Sequence, residues 1–137
     1  MANLKPVLCW KTKIAQIKDV EAGKYVGYGC SFRAQKDMKL AVLPVGYFEG
    51  LPRLASMKQS YVLVSGQRCS VVGRICMNMM MVDVTHIDNV KVEDTVVLLG
   101  RSKDETLSAS DVAEWAETIH YELVTGINQS LERLIVE

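Results

Sequence analysis

The sequence has 137 residues, 49% of them hydrophobic, and its 16 basic residues balance its 16 acidic residues. This length and apolar content favour one folded domain with a real core and exclude a disordered chain. A net charge of zero lacks the basic surface typical of nucleic-acid binding, so we expect no nucleic-acid partner. No apolar run reaches the roughly 18 residues of a membrane helix, and the N-terminus lacks the apolar core of a signal peptide.

The chain contains four cysteines, Cys9, Cys30, Cys69 and Cys76, and two histidines. No two of these cysteines form a C-x-x-C pair. Such pairs are the usual core of a structural zinc site, so we predict no metal centre. No spacing supports a disulfide. We therefore expect reduced and mostly buried thiols, as in a cytoplasmic protein.

The first part of the chain predicts short strands. Apolar and polar residues alternate over residues 7–20, which favours a long strand, and the alternation breaks near Ile17, where we expect a bend or bulge. A turn over residues 21–24 leads to a short strand at residues 25–27. The apolar run of residues 39–45 predicts a buried strand.

One tyrosine lies between two glycines where the first short strand ends. Gly27 and Gly29 flank Tyr28. Glycine allows a positive φ or a close backbone approach, so this stretch can hold a phenol away from the fold. By itself the pattern favours a structural aromatic residue at a strand-to-turn junction over a catalytic tyrosine. Only its combination with motifs further along the chain supports a catalytic role.

The middle of the chain predicts an exposed loop and a hairpin. Residues 44–53 are rich in glycine, proline and aromatic side chains, so they form either a functional loop or a cap over one end of a barrel. Ser65 and Gly66 separate two β-rich runs and predict a tight hairpin turn. Gly73 indicates a bulge or a close backbone approach. By composition alone, the methionine-rich residues 77–81 are flexible core packing.

From residue 82 onward the sequence predicts three strands and a helix. Residues 82–85 and 95–100 are apolar enough for strands, and residues 133–136 favour a strand that closes the fold. The helix begins with a capping box formed by Ser108 and Asp111. Its apolar stripe, spaced at i, i+3, i+4 and i+7, comprises Val112, Trp115, Ala116 and Ile119.

These elements define the fold class. About seven short strands and one amphipathic helix near the C-terminus, followed by a shorter turn over residues 121–125, favour a mostly-β antiparallel barrel or sandwich. A parallel sheet needs a helix at each crossover, and the sequence leaves no room for them. We find no internal repeat and no glycine-rich nucleotide-binding motif.

Four segments, taken in order, resemble the C-terminal β-domain of bacterial alanine racemases. They are VGYG (residues 26–29) with Phe32, LPVGY (residues 43–47) with Gly50, VGRICMN (residues 72–78), and TIHYE (residues 118–122) with Arg133. Each motif is weak alone, and their joint order and spacing are specific. The resemblance covers the chain from about Val7 to Ile135 and favours the barrel among the two all-β architectures.

The resemblance implies part of a two-domain enzyme. In the family an N-terminal α/β barrel holds pyridoxal phosphate on a lysine, and the β-domain completes the site of the other subunit in a head-to-tail homodimer. The enzyme interconverts L- and D-alanine for peptidoglycan. We therefore expect residues 1–137 to be a single C-terminal β-domain without the barrel, inactive alone and without bound cofactor. We expect a cytoplasmic protein, or the cytoplasmic domain of a membrane-anchored racemase.

The resemblance also implies roles for individual residues. Racemisation removes the α-proton from one face of the amino acid and returns a proton on the other, so two acid/base groups must flank that carbon. Tyr28 matches the base for the L-isomer. A phenol ordinarily has a pKa of roughly 10 and needs help to act as a base near neutral pH, which in the family comes from the partner barrel. Met77 matches the residue whose backbone N–H binds the substrate carboxylate, and Tyr47 matches a tyrosine of the substrate entrance.

Two positions depart from the family pattern. Asn78 stands where many members have aspartate, which removes a negative charge from the entrance. Gln129 stands where many have a tyrosine that narrows the entrance and contacts the cofactor phosphate, and Glu132 replaces a proline. A more polar wall would admit serine, as in the serine/alanine racemases of vancomycin resistance. A free-standing β-barrel interaction module without catalysis is the alternative of another class.

Overall fold

The computed structural model describes residues 4–136, and most of its regular structure is β-strand. We number the strands and helices in chain order. They are β1 Trp10–Lys13, β2 Gln16–Val20, β3 Tyr25–Val26, β4 Phe32–Arg33, β5 Met38–Leu43, β6 Tyr61–Val64, β7 Gln67–Val72, β8 Met80–Asp83, β9 Thr95–Ser102, β10 Glu105–Leu107, α1 Ala109–Trp115 and α2 His120–Thr125. Short 3-10 turns lie at Tyr28–Cys30 and Arg53–Met57.

Every strand pairing in the described part of the chain is antiparallel, which confirms the predicted fold class. One large sheet has the order β1-β9-β6-β7-β8-β5-β2, and β10 pairs with β9. A separate two-stranded sheet contains β3 and β4. The predicted hairpin is confirmed, since β6 and β7 pair across the turn at Ser65 and Gly66.

The large sheet begins and ends on the same segment of chain. Strands β1 and β2 lie at opposite ends of the pairing order but are consecutive in sequence. At the bend between them, Ile14 N–H donates to Asp94 O beside β9 (3.0 Å), and Ala15 N–H donates to Val42 O of β5 (2.9 Å). The sheet thus curls into a barrel whose seam is one bent segment. The long strand predicted for residues 7–20 is therefore two strands, and its bend lies before Ile17.

Several strands are buried on both faces, which explains their unbroken apolar sequence. In β6, Val62 and Val64 face the barrel interior, while Leu63 packs on the outside against the helices. In β9, Val96 belongs to the interior and Val97 to the outer layer. Fully buried side chains on alternate sides of one strand require a covering layer outside the barrel.

Two layers provide this cover. Helices α1 and α2 lie over β6, β9 and β10, and their Val112, Ala113 and Leu123 share one apolar cluster with Leu63. The small β3–β4 sheet covers the other side, in a cluster comprising Val26, Ala34, Met38, Leu40 and Val72. The barrel interior is filled mainly by Ile14, Leu43, Val64, Val82, Val84, Val96 and Leu98.

The C-terminal region differs from its prediction in two respects. The capping box is confirmed, because Asp111 N–H donates to Ser108 Oγ (3.1 Å) and Ser108 N–H donates to Asp111 Oδ2 (2.8 Å). The helix then stops at Trp115, and Ile119, which we predicted on its apolar stripe, is 62% exposed. The chain turns there and starts a second helix, α2. The closing strand predicted at residues 133–136 is wrong, since this segment forms no ladder.

Two strand boundaries also differ. The strand predicted at residues 82–85 begins earlier, because Met80 and Met81 pair with β5. The strand predicted to end at Gly100 continues to Ser102 and pairs with β10. Glycine is a frequent strand terminator, but here it lies inside the strand and the turn follows at Lys103 and Asp104.

The cysteines are less buried than predicted. All four are free thiols; Cys69 is buried, Cys76 is half-buried, and Cys9 and Cys30 are exposed. Residues 4–136 contain no cluster of three histidine, cysteine or acidic side chains able to hold a metal ion. Neither helix in this range has the length and apolar character needed to cross a bilayer.

The barrel seam gives the first prediction. Ile14 is fully buried at the bend, so Ile14→Ala should lower the free energy of unfolding by about 2–5 kcal/mol through lost burial and the cavity left behind. Denaturant titration measures this. Ile135→Ala is the matched control, because Ile135 is fully exposed and its truncation should change stability by less than about 0.5 kcal/mol. Equal effects of the two changes would contradict the assignment of Ile14 to the core.

The buried thiol gives the second prediction. Burial, with a smaller contribution from Asp83, raises the pKa of Cys69 from 9.0 to about 12. Because thiolate is the reactive form, a thiol reagent near pH 8 should modify Cys9 and Cys30 in the folded protein and Cys69 only after unfolding. The raised pKa contributes stability below pH 9 that is lost as the pH rises towards 12. Modification of folded Cys69 at the rate of Cys9 would refute this.

Candidate active site

One cleft brings together three of the residues predicted to form a site. Tyr28, Tyr47 and Met77 come from different parts of the chain and line a cleft of about 360 Å³. Its other lining residues are Arg53, Arg74, Ile75 and Cys76. The cleft lies where three loops meet: the turn after β3, the loop after β5 and the segment between β7 and β8.

The turn after β3 holds the Tyr28 side chain away from the fold. Gly27 and Gly29 have φ values of +83° and +69°, which side chains with a Cβ rarely adopt. Cys30 follows with φ +52°, so the backbone reverses tightly around the tyrosine. The Tyr28 side chain is 75% exposed. The sequence pattern of a phenol between two glycines therefore has the geometry that we predicted for it.

A second set of contacts fixes this turn against the segment that carries Met77. Arg74 N–H donates to Ser31 Oγ at 3.2 Å. A Cβ added to Gly27 would lie 3.5 Å from the Gly73 Cα, so the two backbones nearly touch. The predicted close backbone approach at Gly73 is confirmed. These contacts set the position of Tyr28 relative to residues 74–77.

The loop with Tyr47 docks directly on the same segment. Tyr47 N–H donates to Cys76 O (3.1 Å), and Phe48 N–H donates to Met77 O (2.9 Å). A Cβ added to Gly46 would lie 2.1 Å from Cys76 O and 2.5 Å from Met77 O. Only glycine fits at this contact, because backbone atoms cannot give way as a flexible side chain does.

Met77 presents an unused backbone donor beside the cleft. Cys76 N–H donates to Met79 O at 2.9 Å, whereas the Met77 N–H has no acceptor among residues 4–136. Its side chain is 48% exposed. A free N–H on a residue that lines a cleft can donate to an anionic group of a ligand, and such charge-assisted hydrogen bonds are strong.

Two arginines give the cleft a positive character that sequence reasoning missed. Arg53 and Arg74 line the cleft, and neither forms an ion pair with a carboxylate in the described part of the chain. Unpaired guanidinium groups attract carboxylates and phosphates. Arg74 lies inside one of the four motifs and Arg53 ends the glycine-rich loop, but only the fold brings their side chains to one cleft.

Two predicted entrance residues do not line the cleft. Asn78 is exposed on the turn directly after Met77. Gln129 is exposed on the turn that follows α2. That turn contacts the Tyr47 loop through the neighbouring Asn128, whose Nδ2 donates to Phe48 O at 2.9 Å. Both residues therefore lie close in sequence to cleft elements, and their roles stay predictions.

The contact at Gly46 gives the third prediction. Gly46→Ala should force the Tyr47 loop away from residues 76–77 and lower the free energy of unfolding by about 3 kcal/mol, as overpacking does. Thermal unfolding measures this. Gly126→Ala is the control, since Gly126 has φ −77° and its new methyl group would meet no atom closer than 3.3 Å. A Gly46→Ala protein as stable as this control would contradict the backbone contact.

The comparisons with known proteins identify one family. A family model described as alanine racemase, C-terminal domain, matches residues 7–135. The match begins before β1 and ends beyond α2, so it includes all three loops of the cleft.

Curated relatives carry the same name. The chain is 47% identical over 131 residues to an alanine racemase of Halothermothrix orenii, covering 96% of this chain and 34% of the relative. It is 42% identical over 135 residues to an alanine racemase of Leptospira interrogans, covering 98% of this chain and 34% of the relative. The chain thus spans about a third of the length of these relatives.

Solved structures extend the similarity to the fold. Alanine racemase from Bacillus anthracis with bound L-Ala-P superposes with a TM-score of 0.85 at 36% identity, covering 91% of this chain and 31% of that one. Alanine racemase from Acinetobacter baumannii gives 0.83 at 40% identity, with 93% and 34% covered. By sequence motifs, family match and fold together, the chain belongs to the alanine racemase C-terminal domain family.

Proposed function

We propose that this chain is the C-terminal part of a pyridoxal-phosphate-dependent alanine racemase and that its cleft forms one wall of the active site. The observation that carries the proposal is that Tyr28 and Met77 line one cleft, and that the Met77 N–H has no acceptor among the described residues. One group can move a proton, and the other can hold a carboxylate. Racemisation of an amino acid needs a group that moves the α-proton and a contact that holds the neighbouring carboxylate in place.

Tyr28 is the proposed base for the L-isomer. Tyr28 lies on a tight turn and is largely exposed. As a phenolate it takes the α-proton from one face of L-alanine, and as a phenol it returns a proton to that face when D-alanine reacts. The glycines on both sides leave room for a substrate and a second protein surface to approach the hydroxyl.

Met77 and the two arginines are the proposed carboxylate side of the site. The free Met77 N–H donates to the substrate carboxylate, and the positive field of Arg53 and Arg74 favours the arrival of an anion. Because Met77 acts through its backbone, its side chain does not determine this contact. Tyr47 lines the same cleft and forms part of the substrate entrance.

The cofactor belongs to another part of the proposed enzyme. No lysine lines the cleft in residues 4–136, and we propose that the amine for covalent attachment of pyridoxal phosphate comes from the α/β barrel. The cleft residues fit the amino acid substrate, because they offer the Tyr28 hydroxyl for proton transfer and the Met77 N–H as a hydrogen-bond donor to the carboxylate. When bound, the cofactor supplies the electron sink that makes the α-proton acidic. Gln129 is the proposed neighbour of its phosphate.

The exposed cleft also supports a partner. Tyr28, Tyr47 and Met77 are 75%, 46% and 48% exposed around one opening. A complete active site usually encloses most of its ligand, so this cleft is more open than such a site. We propose that the α/β barrel of the other subunit covers them in a head-to-tail homodimer. Free thiols fit the reducing conditions of the cytoplasm, where we place the enzyme.

Alanine is the proposed substrate. The serine alternative rests on Gln129, which lines no part of the cleft in the described residues. An interaction module without catalysis does not explain why one cleft is lined by an exposed tyrosine and by a residue whose free N–H can donate to a carboxylate. Serine is nevertheless a useful comparison substrate, since a serine rate equal to the alanine rate would correct the substrate assignment.

The fourth prediction tests the base. In the intact protein Tyr28→Phe should lower the racemisation rate by about 10²–10⁴-fold, the usual contribution of a positioned acid/base group. The α-proton of L-alanine should no longer exchange with solvent deuterium, while that of D-alanine should still exchange through the base on the opposite face. Circular dichroism and proton NMR in D₂O measure the two reactions.

Tyr25→Phe is the matched control, because Tyr25 is also exposed but lies on β3 and lines no part of the cleft. This variant should keep the wild-type rate. Racemisation that survives Tyr28→Phe in both directions would overturn the base assignment. An intact wild-type protein that racemises neither alanine nor serine would overturn the proposed function itself.

A further inference from the structure

We propose that Asn128 is a positioning residue that sets the geometry of the cleft through the loop carrying Tyr47. The inference rests on the proposed function for its kinetic consequences, but its structural part stands alone. Asn128 follows α2, lines no part of the cleft and was no part of the predicted site. Its contacts reach the cleft through one intermediate residue.

Asn128 holds the Tyr47 loop with two hydrogen bonds. Its Nδ2 donates to Phe48 O (2.9 Å), and its backbone N–H donates to Glu49 O (3.0 Å). Within residues 4–136 it is the one side chain outside residues 46–50 that hydrogen-bonds to this loop. The loop's own side-chain contact, from Gly46 N–H to Glu49 Oε2, is internal.

The orientation of the Asn128 amide is fixed by a third contact. Ser130 N–H donates to Asn128 Oδ1 at 2.9 Å. Because Oδ1 accepts from this N–H, the Nδ2 group is the end that faces Phe48 O. The half-buried amide thus uses its acceptor on its own turn and its donor on the Tyr47 loop.

The contact continues from the loop to Met77. Phe48 O accepts from Asn128, and Phe48 N–H donates to Met77 O at 2.9 Å. A Cβ added to Gly50 would lie 2.6 Å from Gly126 O, so the end of the loop packs on the start of the Asn128 turn. The loop is therefore held from both sides: by Cys76 and Met77 on one, and by the turn after α2 on the other.

This arrangement assigns different roles to the two sets of contacts. The turn with Tyr28 is held by Ser31 against Arg74 and by Gly27 against Gly73. No hydrogen bond within residues 4–136 joins this turn to the Tyr47 loop. Loosening the loop should therefore disturb Tyr47 and the Met77 peptide, which receive the substrate, more than the proton-transferring phenol. The expected signature is a change in KM larger than the change in kcat.

The experiment is Asn128→Asp in the intact, cofactor-loaded protein. Aspartate keeps the shape and the acceptor for Ser130 N–H but replaces the donor with an oxygen that repels Phe48 O. We expect the KM for alanine to rise about 5- to 10-fold while kcat changes less than about 2-fold, as for one lost hydrogen bond. Amide hydrogen exchange at residues 47–50 should accelerate by about the same factor.

Asn89→Asp is the matched control, an identical change on an exposed turn that lines no part of the cleft; it should leave both readouts at wild-type values. Asn128→Ala removes the donor without adding charge and gives the same test where the aspartate variant does not fold. The proposal would be overturned by unchanged hydrogen exchange and KM. It would also be overturned if kcat fell by as large a factor as KM rose, or if both variants failed to fold. Inactive wild-type protein with normal loop protection would instead overturn the proposed function.

Discussion

Burial of single strands on both faces is the constraint on which the rest of the structure depends. Leu63 and Val97 point out of the barrel and are buried, so the outer surface of β6 and β9 needs cover. The helices provide it there, and the small β3–β4 sheet provides it over Leu40. Without these outer layers the barrel would present an apolar surface to water, at a cost of roughly 25 cal/mol for each Å² left exposed.

The same two covering layers supply both ends of the cleft. The β3–β4 sheet leads into the turn that carries Tyr28, and α2 leads into the turn that carries Asn128. Between them lies the Gly46 contact, where the Tyr47 loop meets Met77 backbone to backbone. Packing that stabilises the barrel therefore also determines the distances within the cleft. The geometry of the cleft is therefore coupled to the way in which the apolar outer faces are covered.

Local sequence patterns predicted the elements whose cause is local. The hairpin at Ser65 and Gly66 and the capping box of Ser108 and Asp111 depend on neighbouring residues, and both are confirmed. The bend at Ile14 depends on pairing with two distant strands, so the alternation pattern placed it too late.

Some residues of the candidate site could likewise be predicted from local motifs, and others could not. Tyr28, Tyr47 and Met77 lie in recognisable motifs and were predicted to share a site. Arg53 and Arg74 share the cleft only because two loops converge. Asn128 has no motif of its own, and its proposed role depends on a side-chain hydrogen bond that spans 80 positions of the chain.

The bent segment at the barrel seam also protects the protein against aggregation through exposed strand edges. Residues 10–20 satisfy one edge of β9 and one edge of β5 at the same time. Loss of this single segment would leave two rows of unpaired backbone N–H and C=O groups next to apolar side chains, and such edges recruit strands from other molecules. Protection against intermolecular β-pairing is therefore concentrated in one short stretch that lines no part of the cleft.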